Sequence, residues 1–310
     1  MKLHFLMIKK FQVTRDFHDA RFDKWFKRNV LDIPQGLIEK IIRKNQVKVN
    51  NKKTKSSYRI QENDIVEVFN IEKLEESKKK IITQYIPSIS EKAKYDDFII
   101  EDNDNFVVIN KPSGIPVQSG TKSFKNIIDT LRKTKYFENA KPFIVHRLDK
   151  DTSGILIVAK NREYAQLFTS LFRLRKIHKT YLAIVYGEIP KGTKILEDEL
   201  ILYENDKKII QKALSYLKLL KTNSQYSLLE LRPITGRKHQ LRKQLYNLGN
   251  PIIGDDKYFF KNRGVYIKSK YLMLHAYEIK FMINDVKYNF SAPLNENFSE
   301  FLNKKNLNIF

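Results

Sequence analysis

Phe143-Ile144-Val145-His146-Arg147-Leu148-Asp149-Lys150-Asp151-Thr152-Ser153-Gly154-Ile155-Leu156-Ile157-Val158-Ala159 sets two apolar runs on either side of a loop crowded with charge. The run Ile155–Ala159 has no polar alternation, so it reads as a strand buried on both faces. Val145–Gly154 is then a tight polar loop at the edge of a buried sheet. Gly154 lets the chain turn sharply into the strand. Two carboxylates, a histidine and an arginine within so few positions either hold a turn by Asx-type bonds or carry chemistry.

Working outward, Phe106–Ile109, Phe143–Val145, Tyr181–Tyr186 and Tyr226–Leu231 also read as strands. Between Ala159 and Tyr181 the pattern is helical. Asn161 is a good N-cap, Glu163 lies in the first turn, and Tyr164, Leu167, Phe168, Leu171 and Phe172 make one stripe. Arg173, Arg175, Lys176 and Lys179 follow its end as a basic patch. Thr235 is placed to cap a helix with Leu241, Leu245 and Leu248 on one face, ending at Gly249. Arg237 then falls in its first turn and Arg242 further along.

Toward the N-terminus, residues 11–70 read as a small α/β unit. Phe22, Trp25 and Phe26 repeat at helical spacing, as do Leu37, Ile38, Ile41 and Ile42 after Pro34. Val47 and Val49 alternate with Lys48 before the turn signal Asn50-Asn51, and Tyr58, Ile60, Ile65, Val66 and Val68 mark further short strands. Residues 40–61 hold Lys40, Arg43, Lys44, Lys48, Lys52, Lys53, Lys55 and Arg59 and no acid. Positive charge segregated on one turn and hairpin suits a row of phosphates. Residues 71–95, with Glu75-Glu76, Lys78-Lys79-Lys80 and Pro87, read as a linker, and 96–310 as the second domain.

Composition agrees. The 310 residues carry 58 Lys and Arg against 35 Asp and Glu, a formal charge of +23. A polyanion is the natural partner, nucleic acid before others, although a lysine-rich surface alone gives the same sum. The absence of cysteine excludes disulfides, thiolate metal sites and cysteine nucleophiles. His146, His239 and His275 show no metal-ligand spacing, so no metal is expected. No apolar run has membrane-spanning length, and Met1–Lys10 is too short and basic for a secretory signal. A soluble, cytoplasmic, monomeric protein is expected.

His146-Arg147-Leu148-Asp149, followed by Thr152-Ser153-Gly154, resembles the signature of the RluA-type pseudouridine synthases at every fixed position. Asn110-Lys111-Pro112-Ser113-Gly114 is similar to the family's first motif and Lys179-Thr180-Tyr181 to its Lys-x-Tyr segment. Thr235-Gly236-Arg237-Lys238-His239-Gln240-Leu241-Arg242 is similar to its third motif; Gly249–Asp255 and Leu274-His275-Ala276 follow in the family's order. Residues 11–70 resemble the α-L RNA-binding domain, a pairing similar to that of the large-subunit rRNA synthases.

The resemblance implies an α+β fold, with a catalytic domain on a mixed, largely antiparallel sheet. It implies isomerisation of uridines in 23S rRNA, met as free RNA or in pre-ribosomal particles. A tRNA synthase and a non-catalytic RNA-binding or ribosome-assembly factor are the rivals. Uracil leaves its ribose, rotates and rejoins through carbon; nothing is oxidised, so no cofactor is implied. By resemblance Asp149 is the acting carboxylate, by attack at ribose C1′, attack at ring C6 or a glycal route. Tyr181 stacks on the uracil and takes part in proton transfer, and Arg237 pairs with Asp149. Arg43, Lys44, Lys48, Lys52, Lys53, His146, Arg147, Arg173, Arg175, Lys176, His239 and Arg242 are the expected RNA contacts. His146 bonds either backbone or RNA, and Lys111 and Pro112 shape a turn.

Overall fold

A computed structural model of the chain describes residues 8–72, 88, 95–118, 125–138, 140–204, 207–260 and 271–309. The chain divides into two compact units, Met1–Gln84 and Tyr85–Phe310.

The first unit runs β1 (Ile8–Gln12), β2 (Ala20–Arg21), α1 (Phe22–Asn29), α2 (Gln35–Arg43), β3 (Val47–Val49), β4 (Lys52–Lys53), β5 (Arg59–Ile60) and β6 (Ile65–Phe69). Its main sheet has the order β1-β6-β3-β4. Phe22, Trp25 and Phe26 of α1 and Ile38 and Ile41 of α2 close over Val47, Val49, Val66 and Val68. Pairing of Val49 with Lys52 leaves a two-residue loop, and Asn50 and Asn51 meet its demand for positive φ at 48° and 64°. The unit is wider than the apolar pattern of 11–70 implies. Strand β1 begins at Ile8 and pairs with β6, and Ile71 is buried in the same core. Tyr95 belongs to a core of the second unit. Of the linker expected over 71–95, only Ile71, Glu72, Ser88 and Tyr95 lie within the described residues.

The second unit contains β7 (Ile99–Asp102), β8 (Phe106–Lys111), α3 (Ile127–Leu131), β9 (Phe143–Ile144), β10 (Ser153–Ala159), α4 (Arg162–Arg173), β11 (His178–Tyr186), β12 (Ile195–Glu204), β13 (Lys207–Thr222), β14 (Tyr226–Pro233), α5 (Gln240–Asn247), β15 (Leu274–Ile283), β16 (Val286–Ser291) and α6 (Glu296–Lys304). The sheet order is β12-β13-β14-β11-β15-β10-β8-β7, with β16 on β15 and β9 on β10. Every pairing is antiparallel except β10 with β15, so the fold is α+β on a mixed, largely antiparallel sheet. Among the described residues no helix is long and apolar enough to cross a membrane.

Strand β10 is covered on both faces, as its unbroken apolar run requires. Leu156 and Val158 pack with Ile127 and Leu131, while Ile155, Ile157 and Ala159 pack with Phe168 and Phe281. Asn161 caps α4, its side chain accepting the Tyr164 N–H at 2.9 Å. The Phe168 ring meets Phe106 at 5.4 Å and Phe281 at 5.2 Å. Emptying that position to alanine would cost about 3–5 kcal/mol. Gly154 pairs with Ala276, and a Cβ there would lie 2.2 Å from the Ala276 carbonyl oxygen. The glycine therefore serves close strand approach as well as its φ of 105°. Ala276 in turn pairs with Tyr181, beside an irregularity between Thr180 and Tyr181. Gly154, Ala276 and Tyr181 thus stand in one row across the sheet, which brings the loop before β10 to the Tyr181 strand.

Candidate active site

The loop from Val145 to Thr152 is held from several sides. At its start, His146 Nε2 accepts the Ile157 N–H at 2.8 Å, and its ring stacks on Phe172 at 4.8 Å. An imidazole accepting there is neutral; burial, with Lys179 nearby, pushes its pKa down to about 3. Of the two partners expected for His146, it is backbone that takes Nε2. At the loop's end, Ser153 Oγ lies 2.9 Å from His275 Nδ1 and receives the Asn295 amide at 2.9 Å. From below, the fully buried Lys111 ammonium donates to the carbonyls of Pro112, Ile115 and Lys150 at 2.8–2.9 Å. Desolvation pulls the Lys111 pKa down to about 7, opposed by Asp151 and Asp149. Ser113 Oγ donates to the Asp151 carbonyl at 2.7 Å. The turn of residues 110–114 is therefore a strap under the loop.

Held in this way, Asp149 opens onto a cleft of about 580 Å³ lined among others by His146, Arg147, Arg173, Arg175, Lys179, Tyr181, Arg237, His239 and Arg242. Arg242 Nη1 stands 3.6 Å from Asp149 Oδ2, and His239 Nε2 stands 3.7 Å from Oδ1. The other edge of Arg242 is clamped by Asp255, Nε to Oδ2 at 2.7 Å and Nη2 to Oδ1 at 2.8 Å. Asp256 adds a contact at 3.4 Å. These carboxylates raise the Arg242 pKa against its burial, so the guanidinium is a fixed cation. Burial raises the Tyr181 phenol above its ordinary pKa, and the charge of Asp149 pushes the same way. Tyr181 is thus a phenol rather than a phenolate at neutral pH.

Three expectations are corrected here. Arg242, not Arg237, stands against Asp149. Thr235 does not cap α5; its hydroxyl donates to Gln240 Oε1, and the helix starts only at Gln240, with His239 at the N-cap in the left-handed region at φ 54°. That late start turns Arg242 inward and leaves Arg237 on the rim, where its Nε donates to the Lys212 carbonyl at 3.2 Å. Arg242 is also no RNA contact of the surface kind, because only 6% of its side chain is accessible. His239, an expected RNA contact, lines the cleft and lies beside Asp149. Arg147, Arg173, Arg175 and Lys176, expected as RNA contacts, are exposed. In the first unit Arg43, Lys44, Lys52 and Lys53 are exposed, and Lys48 lies 5.5 Å from the Phe69 ring centre.

Sequence reasoning missed Asp255 as the anchor of Arg242 and Tyr258 beside His239; Lys111 shapes the turn expected of it, through the Pro112 and Ile115 carbonyls, and ties it to the loop at Lys150, which the sequence does not show. The only signal was Gly254-Asp255 in a familiar motif; that a buried arginine needs a carboxylate shows only once its burial is known.

The RNA pseudouridylate synthase family model matches residues 105–247. Over 275 residues the chain is 36% identical to the ribosomal large subunit pseudouridine synthase C of Rickettsia felis, covering 84% of this chain and 88% of the relative. It is 33% identical over 318 residues to the protein of that name from Buchnera aphidicola, covering 98% and 97%. Among solved structures it resembles the human RNA pseudouridylate synthase domain-containing protein 4 with a TM-score of 0.60 and 26% identity, over 69% of this chain and 95% of that one. The chain belongs to the RNA pseudouridylate synthase family and is an isomerase of uridine in RNA. Both bacterial relatives are named as synthases of the large ribosomal subunit, the group whose pairing of domains residues 11–70 and the catalytic signature resemble.

Proposed function

We propose that the chain isomerises specific uridines of 23S large-subunit rRNA, with Asp149 as the acting carboxylate and no cofactor. The substrate reading is supported by the two bacterial relatives, whose names place their action on the large ribosomal subunit and which match most of this chain. The mechanistic reading is carried by one observation: a carboxylate on a strapped loop, facing a cleft, with a clamped arginine at one oxygen. Attack at ribose C1′, attack at ring C6 and proton removal toward a glycal all need a carboxylate anion held in one orientation, and Arg242 supplies both charge and direction. Tyr181 offers a flat ring to stack on the flipped uracil, and its raised pKa makes the hydroxyl a donor rather than a base. Flipping a stacked uridine costs a few kcal/mol. Arg147, Arg173, Arg175 and Lys176 offset that cost through phosphate contacts near the cleft.

The first unit serves as an α-L type RNA-binding domain. Among the described residues no carboxylate pairs with Arg43, Lys44, Lys48, Lys52 or Lys53, which leaves these cations for phosphates. The enzyme acts as a cytoplasmic monomer on free rRNA or on pre-ribosomal particles. The test is tritium release from transcripts labelled at uracil C5. Release from 23S RNA and none from tRNA is expected. Release from tRNA alone would move the substrate, and no release from either would remove the reading.

A further inference from the structure

His239 sits in a strained backbone conformation, between a carboxylate and a phenol, and the mechanism above does not use it. A non-glycine residue at φ 54° carries a conformational cost and persists only where its surroundings fix it. The hydroxyl of Tyr258 lies 3.0 Å from His239 Nδ1, and on the other side Nε2 faces Asp149 Oδ1 at 3.7 Å.

Proton bookkeeping fixes the direction of this chain. Burial is the largest influence on His239 and lowers its pKa; Arg242, Lys257 and Lys238 lower it further, and Asp149 alone opposes them. The imidazole is therefore neutral at neutral pH and carries one proton. Burial, with help from Asp255 and Asp149 against Arg242, keeps Tyr258 a phenol. A phenol hydroxyl can donate or accept, so the carboxylate decides: the anionic Asp149 facing Nε2 favours the imidazole proton on that nitrogen, and Tyr258 then donates to Nδ1.

Tyr258 is itself placed by the residue that places Arg242. Its backbone N–H donates to Asp255 Oδ1 at 2.9 Å, and its ring lies 5.3 Å from the Arg242 guanidinium carbon. One buried carboxylate thus sets both arms that reach Asp149, Arg242 directly and His239 by way of Tyr258. The 3.7 Å separation exceeds hydrogen-bond length, so the imidazole N–H acts on Asp149 Oδ1 as an electrostatic contact rather than a full hydrogen bond.

We infer that His239 is a positioning residue, locked by Tyr258 into the tautomer that points N–H at one oxygen of Asp149 while Arg242 holds the other. The inference rests on Asp149 being the acting carboxylate.

The chemistry of amide side chains supplies the test. The amide nitrogen of Gln falls near the place of histidine Nε2 and can still donate to Asp149, whereas that of Asn falls near Nδ1 and cannot. His239→Gln, His239→Asn and Tyr258→Phe are compared with wild type on 23S RNA, reading single-turnover tritium release, RNA affinity and thermal unfolding. His239→Gln should keep turnover within a few-fold. His239→Asn should lose about 10–100-fold in turnover at unchanged RNA affinity, and Tyr258→Phe should lose turnover in the same direction because the tautomer is no longer fixed. Equal behaviour of the Gln and Asn variants, or losses confined to affinity, would overturn the inference and return His239 to RNA contact. Asp149→Asn, run in parallel, separates the two readings: if it stays active, the assignment of Asp149 fails first.

Discussion

The hairpin lysines of the first unit and the cleft arginine Arg242 of the second live under opposite rules. On the hairpin of the first unit, Lys52 and Lys53 stand exposed with no carboxylate partner among the described residues. In the cleft, Arg242 is buried and held by Asp255, Asp256 and Asp149. An exposed cation held by nothing suits a moving, hydrated polyanion, and its loss costs a contact. A clamped cation is part of an arrangement, and its loss leaves the buried Asp255 carboxylate without a counter-charge. The net charge of +23 counts both kinds alike. Only burial tells them apart, and the comparison predicts that they fail differently.

The sharpest break is at Asp149. Asp149→Asn keeps the shape of the strapped loop and removes the charge that Arg242 and His239 face. Tritium release should fall by more than the ~10²–10⁴ that general acid–base assistance supplies. Asp151→Asn is the control; the Asp151 carbonyl, not its carboxylate, receives Ser113, so the loop should hold and most release survive. Release that survives in the Asp149 variant and vanishes in the Asp151 variant would reverse the two roles.

Next in size is the contrast between two arginines of one segment. Arg242→Met strands Asp255, whose side chain is wholly inaccessible, and should destabilise the protein by about 3–5 kcal/mol while abolishing turnover. Arg237→Met breaks one bond to the Lys212 carbonyl on the rim, and should leave stability nearly unchanged and weaken RNA binding. Thermal unfolding and RNA affinity of both variants check this. Equal stability loss would mean that the buried clamp carries no special weight.

Why the arginines were exchanged shows what a sequence conveys. The third motif is plain in residues 235–242, but which side chain turns inward depends on the residue at which the helix begins. Reading Thr235 as the cap starts the helix four residues early, an error that rotates Arg237 toward the site and Arg242 away. The loop of Asp149, the buried strand after it, the Asn161 cap and both apolar stripes of the first unit were legible because each is local. Asn161, for one, needs only its own side chain and the Tyr164 N–H. The hairpin of β12 and β13 was not, because Ile195, Ile201, Ile210 and Tyr216 are exposed there, so apolar character no longer marks a core face. Lys111 was legible as a turn residue, since the Pro112 and Ile115 carbonyls are local, but not as a buried one: a lysine is the last residue expected at full burial, and its third acceptor, the Lys150 carbonyl, arrives only with the fold.

A smaller effect sharpens the other half of the comparison. If Arg43, Lys44, Lys52 and Lys53 each touch a phosphate, changing all four to glutamine should flatten the dependence of log affinity on log salt by roughly 0.7–0.9 per lost contact. Turnover at saturating enzyme should stay at the wild-type rate, because these residues belong to the first unit. Filter binding of 23S RNA from low to high salt measures the slope. An unchanged slope would leave the hairpin without a phosphate role.

The smallest expected effect concerns histidines that serve the loop by staying uncharged. Burial holds His146 down to about 3 and His275 to about 4, against an ordinary value of 6.5. His146 must accept the Ile157 N–H, so it cannot take a proton without breaking that bond; His275, with Nε2 on the Ala292 carbonyl and Nδ1 on the Ser153 hydroxyl, is kept neutral by its burial. As pH falls below 6.5 the unfolded chain protonates these imidazoles and the folded one does not. Stability is therefore full above pH 6.5 and drains as pH drops toward 4 and 3, by about 1–2 kcal/mol per histidine on the way to pH 5. His146→Gln isolates one of them, since a glutamine carbonyl can accept the same N–H and does not titrate. Between pH 7 and 5, denaturant unfolding should show the wild type losing more stability than His146→Gln by that amount. Parallel losses would mean that His146 is free to protonate in the folded protein, and that the loop of Asp149 is anchored at its start by packing on Phe172 rather than by the imidazole's lone pair.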